Sequence, residues 1–513
     1  MNFKILDCTI RDGGYYTNWE FNDSIIDDYL SSMNNLPIDY IEIGYRSPKM
    51  NSYLGKYFYL PLEIIKSVKD KTNKKLVIIL NEKDIQQQDL DHILSDCLGL
   101  IDLVRLAIDP DNIKRAISIA IKLKEMGFKV GFNVMYMSKW MDDYDFFEVL
   151  PEINDYVDFF YMVDSYGGVN PTELIEIYKI VSKYINIPIG FHGHNNLELA
   201  LINTLTAIEC GVDIVDSTIT GMGRGAGNLK TELLLTYLES KGLIELDFNS
   251  ISKVVESFSD LQEKYGWGTS LPYMVSGANS LPQKEVMEWV SKRFYSFNSI
   301  IRSLENQSKG LKDNIRFKKI VKGSKYDSIL LIGGGSSVSE NSWGLNSFVE
   351  KHKGMLIIHS SSKNAMNFMN CSNDQMFCLV GNEGYRLEKI FDKELPDNCK
   401  CILPPYPRKM GTYIPKEIQN QTLELQTIEL KGVKEISHTL IALQSCLNFE
   451  TNNIYTAGYD GYENTLSKNE KELFIENDLL FNEMRQKTGK SLISLTPTTY
   501  SNLEKGSVYA ELS

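Results

Sequence analysis

The sequence predicts an α/β protein: a (β/α)8 barrel, a helical extension of that barrel, and a second, smaller α/β domain. Three observations carry this expectation. The first 220 residues repeat a short apolar run, a polar turn and a helix-like segment. Near-continuous apolar strands alternating with helices indicate a parallel sheet covered on both faces. Eight such units in this length favour a closed barrel, with an open doubly wound sheet as the competing expectation. Finally, 513 residues are too many for one ordinary core, and apolar runs resume after residue 325.

Taken in order, the predicted strands are Phe3–Thr9, Tyr40–Gly44, Leu76–Leu80, Leu103–Ala107, Lys129–Val134, Phe159–Asp164, Ile187–His192 and Ile214–Thr218. Between them, segments such as Asn112–Met126 and Pro171–Tyr184 carry apolar residues at helical spacing. The expected limits are 1–240 for the barrel, 241–320 for a helical extension and linker, and 325–513 for the second domain. The extension holds amphipathic stretches at Ser250–Tyr265 and Gln283–Phe297, and an aromatic stretch, Tyr265-Gly266-Trp267-Gly268, placed over the barrel mouth. The basic run Lys309–Lys325 reads as the linker. The second domain opens with Ile329–Ile332 and Gly333-Gly334-Gly335-Ser336-Ser337, and continues with apolar runs at Met355–Ile358, Phe377–Val380, Cys401–Leu403 and Ile454–Thr456.

Composition excludes several classes. A net charge of -13 argues against non-specific nucleic-acid binding, which needs basic surface. No basic leader with an apolar stretch opens the chain and no apolar run has membrane-spanning length, so a cytoplasmic protein is expected. The eight cysteines are scattered, with Cys399-Lys400-Cys401 the one close pair, and read as reduced structural thiols.

In such a barrel the chemistry sits at the C-terminal strand ends. Strand seven ends in Gly190-Phe191-His192-Gly193-His194-Asn195-Asn196-Leu197, which places two of only six histidines there. Residues two apart on a strand point to one side, so His192 and His194 converge. Asp12, in Asp7-Cys8-Thr9-Ile10-Arg11-Asp12-Gly13-Gly14 after strand one, is the best carboxylate partner, and Asn228 could add an amide oxygen. Oxygen and imidazole donors without thiolate suit Mn²⁺ or Mg²⁺, with Co²⁺ a third candidate. Arg11 is either a barrel-mouth salt-bridge partner or, beside a metal, a stabiliser of enolate charge on a 2-oxo acid.

These motifs resemble the DRE-type TIM-barrel metallolyases. Phe191–Leu197 and Val163-Asp164-Ser165-Tyr166-Gly167-Gly168 are most similar to the 4-hydroxy-2-oxovalerate aldolase branch, and the likeness covers roughly residues 3–280. The resemblance implies that Asp12, His192 and His194 hold the metal, with Asn228 on or next to it. It implies that Arg11 stabilises a pyruvate enolate, that Ser165 lies against the 2-oxo acid, and that Glu42 and Arg105 support the site. One position departs from the pattern. Three residues after the metal aspartate the family has a histidine thought to be the general base, and here stands Tyr15. A phenol with pKa of about 10 is a poor base at neutral pH, so Tyr15 is expected as acid or orienter, with Tyr16, Tyr265 and Tyr273 as unranked alternatives.

The expected activity is therefore a metal-dependent aldolase joining or separating pyruvate, or a close 2-oxo acid, and an aldehyde. Two alternatives stay open: an acyl-CoA-dependent Claisen-type synthase, and a nucleotide-binding transferase with a catalytically altered barrel. In the second domain, Gly333–Ser337 follows a strand and is either a phosphate cradle or a plain tight turn. With Tyr455–Tyr462 it faintly resembles Rossmann-like domains related to hydroxymethylpterin pyrophosphokinases and some sialyltransferases. That likeness implies a nucleotide or nucleotide-sugar ligand and a link to surface polysaccharides. A homo-oligomer is a further expectation.

Overall fold

The structure is a computed structural model that describes all residues except 1, 52, 293–296, 311–314, 382, 392–394, 409–411, 433–435 and 463–467. Parts of the predicted segment Gln283–Phe297 and of the predicted linker Lys309–Lys325 therefore lie outside the described residues. The chain divides into two compact units, Met1–Glu288 and Trp289–Ser513.

In the first unit eight parallel strands close a barrel: β1 (Lys4–Asp7), β2 (Tyr40–Tyr45), β3 (Lys75–Asn81), β4 (Leu103–Ile108), β5 (Val130–Val134), β6 (Phe159–Asp164), β7 (Ile189–Gly193) and β8 (Ile214–Ser217). Closure comes from β1 on β8, where Leu6 pairs with Asp216. The competing open sheet is thereby excluded for this unit. Helices return the chain outside the barrel, and their starts are written locally. Asn170 caps Pro171–Tyr184 by accepting from Thr172 N and Glu173 N, while the Glu173 carboxylate reaches back to Asn170 N. The helix Phe248–Tyr265 stops at Gly266, which takes the left-handed conformation at φ 70°.

Strand one is shorter than expected. It ends at Asp7, and the helix α1 (Thr9–Thr17) begins almost at once, with Thr9 N and Oγ1 both donating to the Asp7 carboxylate. Arg11 and Asp12 thus stand on a helical first turn. The stretch after Tyr265 is pinned to the strand-end loops. Trp267 Nε1 donates to Thr220 O, Thr269 Oγ1 to Asn195 O, and Asn196 Nδ2 to Tyr273 O.

The second unit holds nine parallel strands: β9 (Lys318–Lys319), β11 (Ser328–Ile332), β12 (Met355–His359), β13 (Gln375–Cys378), β14 (Cys399–Leu403), β15 (Thr422–Glu424), β17 (Asn453–Ala457), β18 (Leu492–Ser494) and β19 (Glu504–Lys505). Their order is β19-β18-β17-β11-β12-β13-β14-β15-β9, while β10 (Ser324–Lys325) and β16 (Phe449–Glu450) form a small separate sheet. The order reverses direction at β11, between β17 and β12, and the carboxyl ends there open a crevice, as parallel sheets of this kind do. Among the described residues no helix is long and apolar enough to cross a membrane.

Candidate active site

The residues facing the barrel axis change character along the strands. Leu6, Tyr40, Val77, Leu103, Phe159, Tyr161, Val163 and Ile214 pack with Cys8 as an apolar plug. Gly190 makes room for it, since a Cβ there would lie 2.3 Å from the Tyr161 ring. Two residues further along four of the strands the same inward side carries ionisable groups. Glu42 follows Tyr40, Arg105 follows Leu103, Asp216 follows Ile214, and His192 follows Gly190.

These groups are buried, so each must be paired. Glu42 and Arg105 have no exposed surface. Arg11 pairs with Asp12 and donates Nε to Glu42 Oε2 at 2.5 Å. Arg105 lies 3.4 Å from Glu42 Oε1, donates to Asp216 Oδ2 and Asn133 Oδ1 at 2.5 Å each, and stacks 4.0 Å over the Tyr161 ring. Burial works to raise Asp12 and Asp216, but the facing guanidiniums of Arg11 and Arg105 hold both carboxyls below their ordinary range. Both are therefore ionised at neutral pH.

The histidines are held in one tautomer. His192 Nδ1 lies 2.8 Å from Asp216 Oδ2, and His194 Nδ1 lies 2.7 Å from the Asp164 carbonyl oxygen. Both partners only accept, so Nδ1 carries the hydrogen and Nε2 presents a lone pair. The rings are 5.0 Å apart, and His192 Nε2 stands 3.9 Å from Asp12 Oδ2. Burial, then His192 next to it, presses His194 down to about 3, so it is neutral as a ligand must be. Asn228 Nδ2 donates to Asp12 Oδ2 at 2.7 Å, which leaves its buried Oδ1 without a hydrogen-bond partner among the described residues. Two imidazole lone pairs, an ionised carboxylate and an unpartnered amide oxygen fit a divalent cation.

A second donor set lies one layer deeper, where Cys8, His192 and Asp216 have donor atoms within 4.8 Å of one another. It fits less well. Burial, and then the charge of Asp12, push the Cys8 thiol well above its ordinary range, so a cation there would have to displace its proton. The Asp216 oxygen facing His192 already serves both His192 and Arg105.

The remaining predicted residues divide into two groups. Tyr15 stands at the mouth, its hydroxyl 2.9 Å from that of Tyr45 and its ring 4.0 Å beneath the Arg224 guanidinium. Ser165 Oγ accepts from Tyr136 N at 2.9 Å, which ties the loop after β6 to the loop after β5. Glu42 and Arg105, by contrast, hold other charges and offer no surface to a small molecule. Of the other tyrosines, Tyr16 donates to Gly225 O, and burial pushes both Tyr16 and Tyr273 up, away from use as bases. Sequence reasoning missed Asp216, which sets His192; the available signal was an acid within an apolar strand run, Ile214-Val215-Asp216. Arg224, within Gly221-Met222-Gly223-Arg224-Gly225-Ala226-Gly227-Asn228 after β8, was missed as well.

A family profile described as HMGL-like matches residues 2–258. A 4-hydroxy-2-oxovalerate aldolase from Geobacillus genomosp. 3 is 29% identical over 253 residues, spanning 47% of this chain and 71% of that one. An oxaloacetate decarboxylase from Mycobacterium tuberculosis is 25% identical over 321 residues, spanning 60% and 92%. Among solved structures, the N-terminal domain of a Bacteroides vulgatus protein provisionally described as an aldolase is 55% identical. It covers 59% of this chain and 100% of its own, at a TM-score of 0.56.

Proposed function

The chain belongs to the HMGL-like family, and from that premise we propose that its barrel is a divalent-metal-dependent aldolase acting on pyruvate, or a close 2-oxo acid, and an aldehyde. The observation that carries the reading is the pair of Nδ1-locked imidazoles beside an ionised Asp12 that is itself paired with Arg11. Asp12, His192 and His194 would hold the cation, with Asn228 Oδ1 the fourth protein atom. Bound there, Mn²⁺, Mg²⁺ or Co²⁺ would polarise the 2-oxo carbonyl and make the neighbouring methyl group more acidic.

The chain's own residues supply the rest. Arg11, fixed between Asp12 and Glu42, places positive charge where the enolate oxygen develops. Ser165 lines the side on which the 2-oxo acid would lie. Tyr15, oriented by Tyr45, is placed to give a proton to the aldehyde oxygen as the carbon–carbon bond forms. The proton lost from the methyl carbon balances the one gained by that oxygen, so pyruvate and aldehyde give a 4-hydroxy-2-oxo acid and nothing else. Loss of carbon dioxide from oxaloacetate would reach the same enolate, which accommodates the decarboxylase relative. A pyruvate and aldehyde panel tests the reading: product that requires the cation supports it, and free CoA released only with acyl-CoA would favour a Claisen-type synthase.

For the second unit we propose a phosphorylated ligand of nucleotide or nucleotide-sugar size. Support comes from a cavity of about 910 Å³ at the carboxyl ends of β11, β12, β13 and β17. Gly334 borders it with open space where a side chain would stand, and Lys363, Arg386 and Lys389 bring positive charge to its wall. Such a ligand would fit an activated sugar and a product destined for a surface glycan. Thermal stabilisation by UDP or CMP that persists in EDTA checks this without reference to the barrel.

A further inference from the structure

Arg224 is a guanidinium whose partner is missing. It is half-buried at the barrel mouth, and among the described residues it makes no ion pair; it lies 4.0 Å from the ring of Tyr15 and hydrogen-bonds with that side chain. Every other guanidinium near the site is matched by a carboxylate, as Arg11 and Arg105 are. A guanidinium has five donors in a planar fork suited to carboxylate and phosphate, and here no carboxylate among the described residues engages that fork.

The loop that carries Arg224 is built to hold it still. A Cβ at Gly223 would lie 2.6 Å from the Asn228 amide, and one at Gly225 would lie 2.5 Å from Gln283 Oε1. Gly227 N donates to Arg224 O, and Tyr16 holds Gly225 O. Glycines on both sides of the arginine are thus fixed by close packing, and the side chain leaves a rigid turn toward Tyr15. Its charge is felt at Tyr15, Tyr45, Asp12, His194 and Tyr136, residues on or just beyond β1, β2, β5 and β7. A second cation, Lys139, lies 5.0 Å from the Tyr166 ring, which stacks on Tyr136.

We propose that Arg224, with Lys139 as the outer cation, forms an anion subsite at the barrel mouth, so that the acceptor is an aldehyde carrying a carboxylate or phosphate group. This rests on the aldolase reading and adds the class of its acceptor. The aldehyde carbon would face the pyruvate methyl beneath, Tyr15 would stand beside the aldehyde oxygen, and the anionic end would reach outward to the guanidinium. Tyr15 stacked under Arg224 then orients the acceptor's charged end as well as its oxygen.

The test uses the full chain with Mn²⁺, pyruvate and matched acceptors: D-glyceraldehyde against its 3-phosphate, and butanal against succinic semialdehyde. The unsubstituted protein should favour one or both anionic members by roughly tenfold or more in kcat/KM, the scale of one charge-assisted hydrogen bond. Arg224→Ala should abolish that preference through KM for the aldehyde, Arg224→Lys should restore part of it, and both should keep pyruvate methyl exchange. The anion that shows the larger loss identifies the group bound. Exchange present with no anion preference, or with equal losses for charged and neutral acceptors in Arg224→Ala, would overturn the subsite alone. Absence of exchange in the unsubstituted protein would overturn the aldolase reading and this inference with it.

Discussion

Two carboxyl edges of parallel sheet invite comparison in this chain. In the barrel beneath Arg224 the charges are buried and committed: Arg11 to Asp12 and Glu42, Arg105 to Glu42 and Asp216, and His192 to Asp216. At the crevice of the second unit the acids serve their own loops. Asp460 takes Ser337 N, and Glu383 takes Ser362 N and pairs with Arg386 at 3.0 Å, while Lys363 and Lys389 remain exposed. Burying charge is costly, so a paired buried cluster that still leaves two imidazole lone pairs open is what the proposed cation site requires. A wide crevice walled by exposed cations can bind without having to activate anything. On the proposed reading, the difference separates a site organised for bond chemistry from one organised for recognition.

That contrast can be broken most severely at the ligands. His194→Ala should weaken Mn²⁺ binding by on the order of 10²-fold or more and leave ligand stabilisation of the second unit intact, measured by calorimetry on the full chain. Equal losses in both units would erase the distinction. Asp216→Ala comes next. It frees the His192 tautomer and leaves Arg105 with a buried unmatched charge, which should cost about 3–5 kcal/mol in denaturant unfolding and about tenfold or more in metal affinity. Unchanged affinity would remove Asp216 from the account.

Gly190→Ala probes the plug beneath the charges. With a Cβ 2.3 Å from the Tyr161 ring, the variant should lose about 1–3 kcal/mol through overpacking, read in the same unfolding experiment. The smallest effect belongs to the second unit and to acid. His359 is buried, with Nε2 2.9 Å from Gln375 Oε1, and burial lowers its pKa to about 4. The unfolded chain, near 6.5, takes up the proton first, so stability present above that pH is lost as pH falls from about 6.5 to about 4 and then levels off. At pH 5.5 the loss should be about 1 kcal/mol, and His359→Leu should flatten the slope between pH 6.5 and 4. A slope unchanged in that variant would assign the acid sensitivity elsewhere.

How much could be read beforehand follows the physics of each signal. Strand six was legible to the residue, Phe159–Asp164, because an apolar run ended at a charged residue. Strand one was not, because Ile5-Leu6-Asp7-Cys8-Thr9-Ile10 has no period that separates a strand end from a helix start. The histidine pair was visible because period two on a strand is a strong rule. Asp216 was hidden because it stands one layer below the mouth, where sequence alone suggests only apolar filling. In the second unit the central strands showed as apolar runs, but β9, β15, β18 and β19, of two or three residues each, carry no pattern long enough to read. Arg224 needed coordinates, since a missing partner is a fact about space.

The central claim is that this barrel makes an enolate of pyruvate with a divalent cation. The most direct test is hydrogen–deuterium exchange at the pyruvate methyl group, followed by NMR with Mn²⁺ or Mg²⁺ and with EDTA, for the unsubstituted chain, His192→Ala and Arg11→Ala. No aldehyde is needed, because exchange requires only that the methyl proton leave and return. The account predicts exchange that depends on the cation and is lost in EDTA and in both variants. Cation bound at the site with no exchange, or exchange that survives EDTA and His192→Ala, would contradict it.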